Sequence, residues 1–523
     1  MTIHEELLSR RTSGILLPVS SMKTERDWGV GDLSSLCEWV SFLSGLGTKI
    51  VQILPLQETA PGQNCPYSAL SAFAIDPVYI DVTSVREVAL SPAASQTVQQ
   101  MQGEIAAWRQ AARAPFGPVK KAKLQVLWQA YRYFLETDIA QSSGQAKAFE
   151  GYCSANQHWL QSYSIFRTLK DFYHWQTWLD WPQPLRDFQP QAVQEFAAKY
   201  HEYVQFFSYV QWQADLQLRA ARSAAQAAGV YLFGDIPFST NLDCAEAWSE
   251  RENFHLDLSI GAPPDQFSAK GQSWGLPAYN WDYLRAHNYD LWRRKIRRAV
   301  ELYDIFRLDH LVGFFRTYVF AKGSDTGYFD VQDEQAQIDR GYNFLRMVLD
   351  AAGGALPVGE DLGLIPNYMR RMLVDLKIPG YKVLRWERED NGYYREPRNY
   401  PVVSLATTST HDTETLRGWW ETENQWERAH IWEMISAQKT NGNVPFDLEV
   451  QRTILRRVLT SASALTMFSW QDIIGTLDRI NTPGTTGEEN WTYRSAYTPQ
   501  QAEEVYHAQL DMYSQLLREC GRG

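Results

Sequence analysis

Residues 303–315 read YDIFRLDHLVGFF. The run is apolar enough for a buried strand, yet it carries Arg307, Asp309 and His310 in its middle. Isolated buried charges are costly, so such groups are normally paired or sit where the chain meets solvent. Side chains alternate across a strand, which turns Phe306 and Leu308 to one side and Arg307 and Asp309, two residues apart, to the other. An arginine beside an aspartate holds that carboxylate ionised. By itself the stretch fits a structural ion pair at a strand end as well as it fits chemistry. What decides is whether other strands end the same way.

Seven further short apolar or β-branched runs are present: SGILLPVSS (13–21), TKIVQILPL (48–56), GVYLFGDIPF (229–238), ALPVGED (355–361), GYKVLRW (380–386), PVVSLATTST (401–410) and ALTMFSWQD (464–472). Helical patterns lie between them. DLSSLCEWVSFLSGLG follows the first, with Asp32 as N-cap and Gly47 near the end; YDLWRRKIRRAVELY precedes the run at 303–309, and IPNYMRRMLVDLK follows that at 355–361. Strands alternating with helices imply a parallel sheet buried on both faces, and eight of them predict an α/β fold, a (β/α)8 TIM barrel. The regularity breaks twice. Residues 85–228, with segments such as LQVLWQAYRYFLETDIA, predict a largely helical insertion between the second and third strands. Residues 239–288, rich in Gly, Pro and Trp with few periodic segments, predict a loop-rich insertion over the barrel mouth. After Asp472 only 51 of the 523 residues remain, enough for a closing helix and too few for another typical domain. The expectation is one barrel over 1–523 with two insertions.

Catalytic groups of such barrels come from the C-terminal ends of the strands. Here those ends carry Asp235, then Arg307, Asp309 and His310, then Glu360 and Asp361, then His411 and Asp412, and finally Asp472. Carboxylates gathered in one mouth repel each other, so stability does not explain them and a shared active site does. Glycoside cleavage needs one carboxylic acid kept protonated and one carboxylate kept charged across the scissile bond. Arg307 marks Asp309 as the charged member. Glu360, on the next strand and with no basic neighbour in sequence, is the natural proton donor, and Asp412 beside His411 is suited to bind the hydroxyls of a distorted sugar ring. Asp235 and Asp472 fit a structural role as well as a functional one.

Composition narrows the partners. A formal charge of −11 offers no footprint for nucleic acid or an anionic membrane surface. The five cysteines (37, 65, 153, 244, 520) are odd in number, far apart and without C-x-x-C spacing, which reads as reduced thiols in a cytoplasmic protein. The apolar run Ile15–Val19 is shorter than a signal-peptide core, and no stretch approaches the roughly 20 apolar residues of a membrane span. No cluster of His or Cys suggests a metal. With 20 Trp and 27 Tyr, the chain is well supplied with the flat aromatic faces that pack on sugar rings.

The motifs FRLDHLVGF, PVGEDLG and TSTHDTET, with GDIPF upstream, resemble those of the α-amylase superfamily. ILPLQET, CPYSALSAFAIDP, PPDQFSAKGQSWGLPAYNW and NTPGTTGEENW narrow the resemblance to the amylomaltases, the 4-α-glucanotransferases of glycoside hydrolase family seventy-seven. It runs from GILLPVSS to ENWTYR. The resemblance implies a (β/α)8 barrel without the C-terminal β-sandwich of amylases and without a cofactor or catalytic metal. It implies Asp309 as nucleophile, Glu360 as acid/base and Asp412 as transition-state stabiliser, with Arg307, His310 and His411 on the sugar at the cleaved bond. Tyr67, Asp265, Gln272, Trp274 and Asn490 would line glucan subsites. The chain departs from the usual family pattern at Cys65 and Leu276. The implied reaction is transfer of α-1,4-glucan from maltodextrin donors to glucose or maltodextrin acceptors through a covalent β-glycosyl enzyme. An α-1,4-glucan hydrolase with the same carboxylates, and a non-catalytic glucan-binding protein, are the alternatives.

Overall fold

A computed structural model describes residues 1–264 and 270–523. Its strands are β1 (Thr12–Leu16), β2 (Ile50–Gln52), β3 (Tyr231–Ile236), β4 (Phe254–Ala262), β5 (Gln272–Tyr279), β6 (Ile305–Leu308), β7 (Tyr318–Ala321), β8 (Gly327–Phe329), β9 (Leu356–Gly359), β10 (Gly380–Val383), β11 (Ser404–Thr407) and β12 (Leu465–Ser469). Eight of them close into a barrel in the order β1-β12-β11-β10-β9-β6-β3-β2, and every neighbouring pair is parallel. Each barrel strand coincides with one of the eight apolar runs, β1 starting one residue before its run and the other seven lying wholly inside theirs. In seven of the eight every residue is buried, as expected of a parallel sheet covered on both faces.

The period-two alternation sorts side chains to two cores. Ile50, Phe233, Ile305, Leu356, Val358, Tyr381, Leu405, Leu465 and Met467 fill the barrel interior, and Leu7 from the helix Ile3–Ser9 joins them from one end. Phe306 and Leu308 belong instead to the large cluster shared with the surrounding helices. Space at the barrel centre is tight: a Cβ on Gly14 would lie 2.6 Å from both Ile50 and Met467. At the seam where β1 meets β12, the buried Arg522 guanidinium donates to the carbonyls of Ser461, Ser463 and Ala464 at 3.0, 2.8 and 3.1 Å.

From Arg86 to β3 the chain is largely helical, its longest members being Phe116–Phe134, Gln157–Phe172 and His201–Ala227. Two buried ion pairs tie this layer to the ends of the 57–76 loop that follows β2. Arg167 Nε meets Glu58 Oε1 at 2.9 Å, and Lys120 Nζ meets Asp76 Oδ2 at 2.5 Å.

The 239–288 segment is more regular than its sequence suggests. β4 and β5 form an antiparallel pair that continues through β7 and β8 into a four-stranded sheet of order β5-β4-β7-β8. Much of β4 and β5 is half-buried or exposed, so no apolar run announces them. Among the described residues no helix is long and apolar enough to cross a membrane.

Candidate active site

The C-terminal rim of the barrel places the charged ends of β3, β6 and β9 side by side. Register pairs Asp235 with Arg307 directly, and Arg307 with Val358 on the other side, two residues before Glu360. Arg307 is buried and contacts three carboxylates: Asp235 Oδ2 at 2.9 Å, Asp309 Oδ1 at 2.8 Å and Glu360 Oε2 at 3.5 Å. A bifurcated, always-charged guanidinium suits such a hub where a lysine would not. These carboxylates raise its affinity for its proton further, although burial alone works against the charge.

Asp309 is held at both oxygens, Oδ1 by Arg307 and Oδ2 by the Phe238 N–H at 3.2 Å. His310 follows in a left-handed conformation, φ 47°, unusual for a residue with a Cβ. That turn aims its own N–H at Glu360 Oε2, 2.8 Å away. Burial pushes the Glu360 carboxyl up to about 8; Arg307 pulls the other way, and the neighbouring Asp309 and Asp412 carboxylates add to the rise. Asp412 takes the opposite course. Burial disfavours its charge, but His411 beside it and hydrogen bonds from His411 and Asn481 hold its carboxyl well below the usual carboxylate range. Asn481 Nδ2 donates to Oδ1 at 2.6 Å, and His411 Nε2 lies 3.2 Å from Oδ2. Glu360, kept protonated, and Asp412, kept charged, share the wall of a cavity of about 180 Å³ that also includes Arg307, Tyr381, Trp386 and His411, and Asp309 reaches the same centre through Arg307.

Tyr67 and Trp274, also named from the sequence, pack against His411 and His310 of this centre. Tyr67 stacks on His411 at 5.6 Å between ring centroids, and its hydroxyl donates to Asp235 Oδ2 at 2.7 Å. The Trp274 indole meets the His310 ring edge-on at 5.0 Å and is 38 % exposed, a free flat face beside the rim. Gln272 opens β5 and is exposed. The buried Asn490 is occupied within its own loop, accepting from the Thr482 N–H and donating to Thr485. Asp265 lies outside the described residues. Asp235 and Asp472 separate cleanly. Asp235 braces Arg307 and Tyr67, whereas Asp472 accepts from Thr408, Ser409 and the Leu416 N–H in the wall behind β11 and is a structural bracket.

Sequence reasoning passed over Asn481 and Trp386. Asn481 stands in an irregular stretch far from Asp412 in the chain, with nothing in RINTPG to mark it; Trp386 ends an apolar run, where an aromatic residue usually reads as core. Among the described residues no group of three or more His, Cys, Asp or Glu is placed to hold a metal ion.

A family model described as 4-alpha-glucanotransferase matches residues 17–498. The 4-alpha-glucanotransferase of Chlamydia pneumoniae is 30% identical over 513 residues, covering 96% of this chain and 94% of its own. That of Thermus thermophilus is 30% identical over 500 residues, covering 92% and 94%. In architecture the chain is similar to an amylomaltase from Streptococcus agalactiae solved with acarbose, with a TM-score of 0.83, 23% identity and coverage of 98% of this chain and 100% of that one. An amylomaltase from Corynebacterium glutamicum gives a TM-score of 0.82 at 22% identity, covering 98% of this chain and 76% of that one.

Proposed function

The chain belongs to the 4-alpha-glucanotransferase family, the amylomaltases, and on that premise we propose that it transfers α-1,4-glucan segments between maltodextrins by retaining double displacement at Asp309. Glu360, held protonated by its surroundings, gives its proton to the glycosidic oxygen as an Asp309 oxygen attacks the anomeric carbon. The leaving glucan departs with a new 4-hydroxyl, and the donor fragment stays as a β-glycosyl ester. Glu360, now a carboxylate, takes the proton from the 4-hydroxyl of an acceptor glucose or maltodextrin, which attacks the same carbon and frees Asp309. Asp412, kept ionised by His411 and Asn481, accepts hydrogen bonds from ring hydroxyls and opposes the positive charge of the oxocarbenium-like transition state. Tyr67 and Trp274 offer sugar-facing surfaces beside that centre, and Gln272 extends the subsites in this reading.

The observation that carries the mechanism is the sharing of Arg307. Its Nη2 lies 2.8 Å from Asp309 Oδ1 and 3.5 Å from Glu360 Oε2. Those two oxygens cannot be further apart than the two distances laid end to end, so one guanidinium holds the two carboxyls close, as the roughly 5–5.5 Å spacing of a retaining pair needs. The spacing supports direct attack by the carboxylate. Cytoplasmic residence belongs to the same reading and is supported by five cysteines that are all free.

Product analysis from maltotriose tests the proposal against hydrolysis. Transfer yields glucose and a ladder of longer maltodextrins with a constant number of reducing ends. A steady rise in reducing ends would make the protein a hydrolase with the same carboxylates, and no turnover would leave a glucan-binding protein.

A further inference from the structure

Behind Asp309, on the helix Asp290–Leu302, lies a lysine that the reaction so far leaves unused. Lys295 is 4 % exposed. Its Nζ donates to the Pro237 carbonyl at 3.1 Å and to the Tyr279 hydroxyl at 3.3 Å, and stands 3.8 Å from the centroid of the Trp292 ring. Among the described residues the immediate partners of this buried amine are a carbonyl, a phenol and an indole face, with no carboxylate in hydrogen-bond contact. Burial pushes its pKa down to about 7, against the attraction of Glu246, Asp309 and Cys244. An ammonium so poorly compensated is expensive to keep in a core unless its charge is used.

The carbonyl it grips shows the use. Pro237 O and Phe238 N–H are two ends of one peptide group, and that N–H is the donor to Asp309 Oδ2 at 3.2 Å. Hydrogen bonds in a chain polarise one another, so a cation on the carbonyl end strengthens the N–H end as a donor. Tyr279 locks the geometry: its hydroxyl receives Lys295 and donates to the next carbonyl, Phe238 O, at 2.9 Å. The Asp309 carboxylate is thereby gripped by Arg307 directly at Oδ1 and, while its amine is protonated, by Lys295 through a peptide at Oδ2.

We propose that Lys295 is a positioning residue of the transfer reaction, orienting the Asp309 carboxylate for attack through the Pro237–Phe238 peptide. The proposal rests on Asp309 being the nucleophile. Its cation fixes the plane of the peptide, and the peptide stops the carboxylate from rotating about its last bond.

A slow fluorinated glycosyl fluoride isolates the step in question, since fluoride leaves without a proton and only formation of the glycosyl ester is timed. Intact mass and peptide mapping give the rate and the site of labelling for the wild type, Lys295→Met and Lys295→Arg. Melting curves show whether each variant folds. In the wild type the label is expected on Asp309. In Lys295→Met it is expected on the same residue about tenfold more slowly, with half-saturating donor changed by less than about twofold and the acid limb of the labelling rate moved to higher pH, because a donor to the carboxylate has been weakened. Lys295→Arg, which keeps a cation, is expected to recover to within about threefold of wild type. If Lys295→Met does not fold, Lys295→Gln carries the same readouts. Label on Asp309 at an unchanged rate with an unmoved acid limb would overturn the relay alone. So would a folded Lys295→Arg as slow as the neutral variant, because packing and not charge would then be the cause. Label on a different residue in the wild type would overturn the nucleophile assignment and the relay with it.

Discussion

On the proposed mechanism two demands conflict at Glu360, since a proton donor must be buried enough to stay protonated yet reach a charged partner. The structure resolves them by sharing Arg307 unequally, 2.8 Å from Asp309 and 3.5 Å from Glu360, so burial dominates at the second carboxyl. Glu360→Gln is expected to fold and to lose natural maltodextrin turnover by several orders of magnitude while retaining most labelling by glycosyl fluorides, whose leaving group needs no proton; equal loss on both substrates would remove its role as acid. Turnover of natural substrate by the wild type should fall as pH rises through about 8, where Glu360 loses its proton. Stability follows the same group. Between an unfolded pKa near ~4.3 and about 8 the folded state holds a proton that the unfolded chain has released, so the wild type loses stability as pH rises across that window. Glu360→Gln has no such slope, and its melting temperature relative to wild type should climb from pH 5 to pH 8. Sequence carried this chemistry only in part. The pairing of Arg307 with Asp309 was legible from strand alternation, but Asp235 and Glu360 reach the same guanidinium across neighbouring strands, a relation set by barrel register and absent from any local pattern. Lys295 is hidden for a similar reason, as one more basic residue on an amphipathic helix.

Between residues and fold stands the 57–76 loop, which carries Tyr67 to the rim. It has little regular structure, and its ends are clamped to the helical layer through Glu58–Arg167 and Asp76–Lys120. Tyr163 also donates to Glu58, and Arg167 lies over the rings of Trp175 and Phe207 at 4.4 and 4.5 Å. Removing one partner of a buried pair strands the other. Arg167→Met should therefore cost on the order of 3–5 kcal/mol in chemical denaturation. It should also lower transfer through a loosened Tyr67, and Glu58→Gln with Arg167→Met together should recover part of the stability. A double variant no more stable than the single one would remove the clamp. Elements were legible in proportion to burial. The eight barrel strands are covered on both faces and write continuous apolar runs, whereas β4, β5 and β8 leave many positions half-buried or exposed and write none.

For the molecule as a whole, barrel and helical insertion share one core: Phe306 and Leu308 of β6 belong to the same buried cluster as Tyr131, Phe166 and Trp212 of the insertion. A layer so joined has no surface of its own to fold on. Calorimetry should accordingly show a single transition, and limited proteolysis should not release a stable fragment spanning 85–228; two resolved transitions would mean that the insertion is an independent unit. The seam between β1 and β12 has a further consequence. Thr12 must find Leu465 before the ring exists, so almost the whole chain has to leave the ribosome before the first strand meets its last partner. Asp309, Glu360 and Asp412 emerge earlier, on strands still missing a side of their wall. A nascent chain therefore carries these three carboxylates without the enclosure that tunes them, and on the proposed mechanism activity waits until the ring seals.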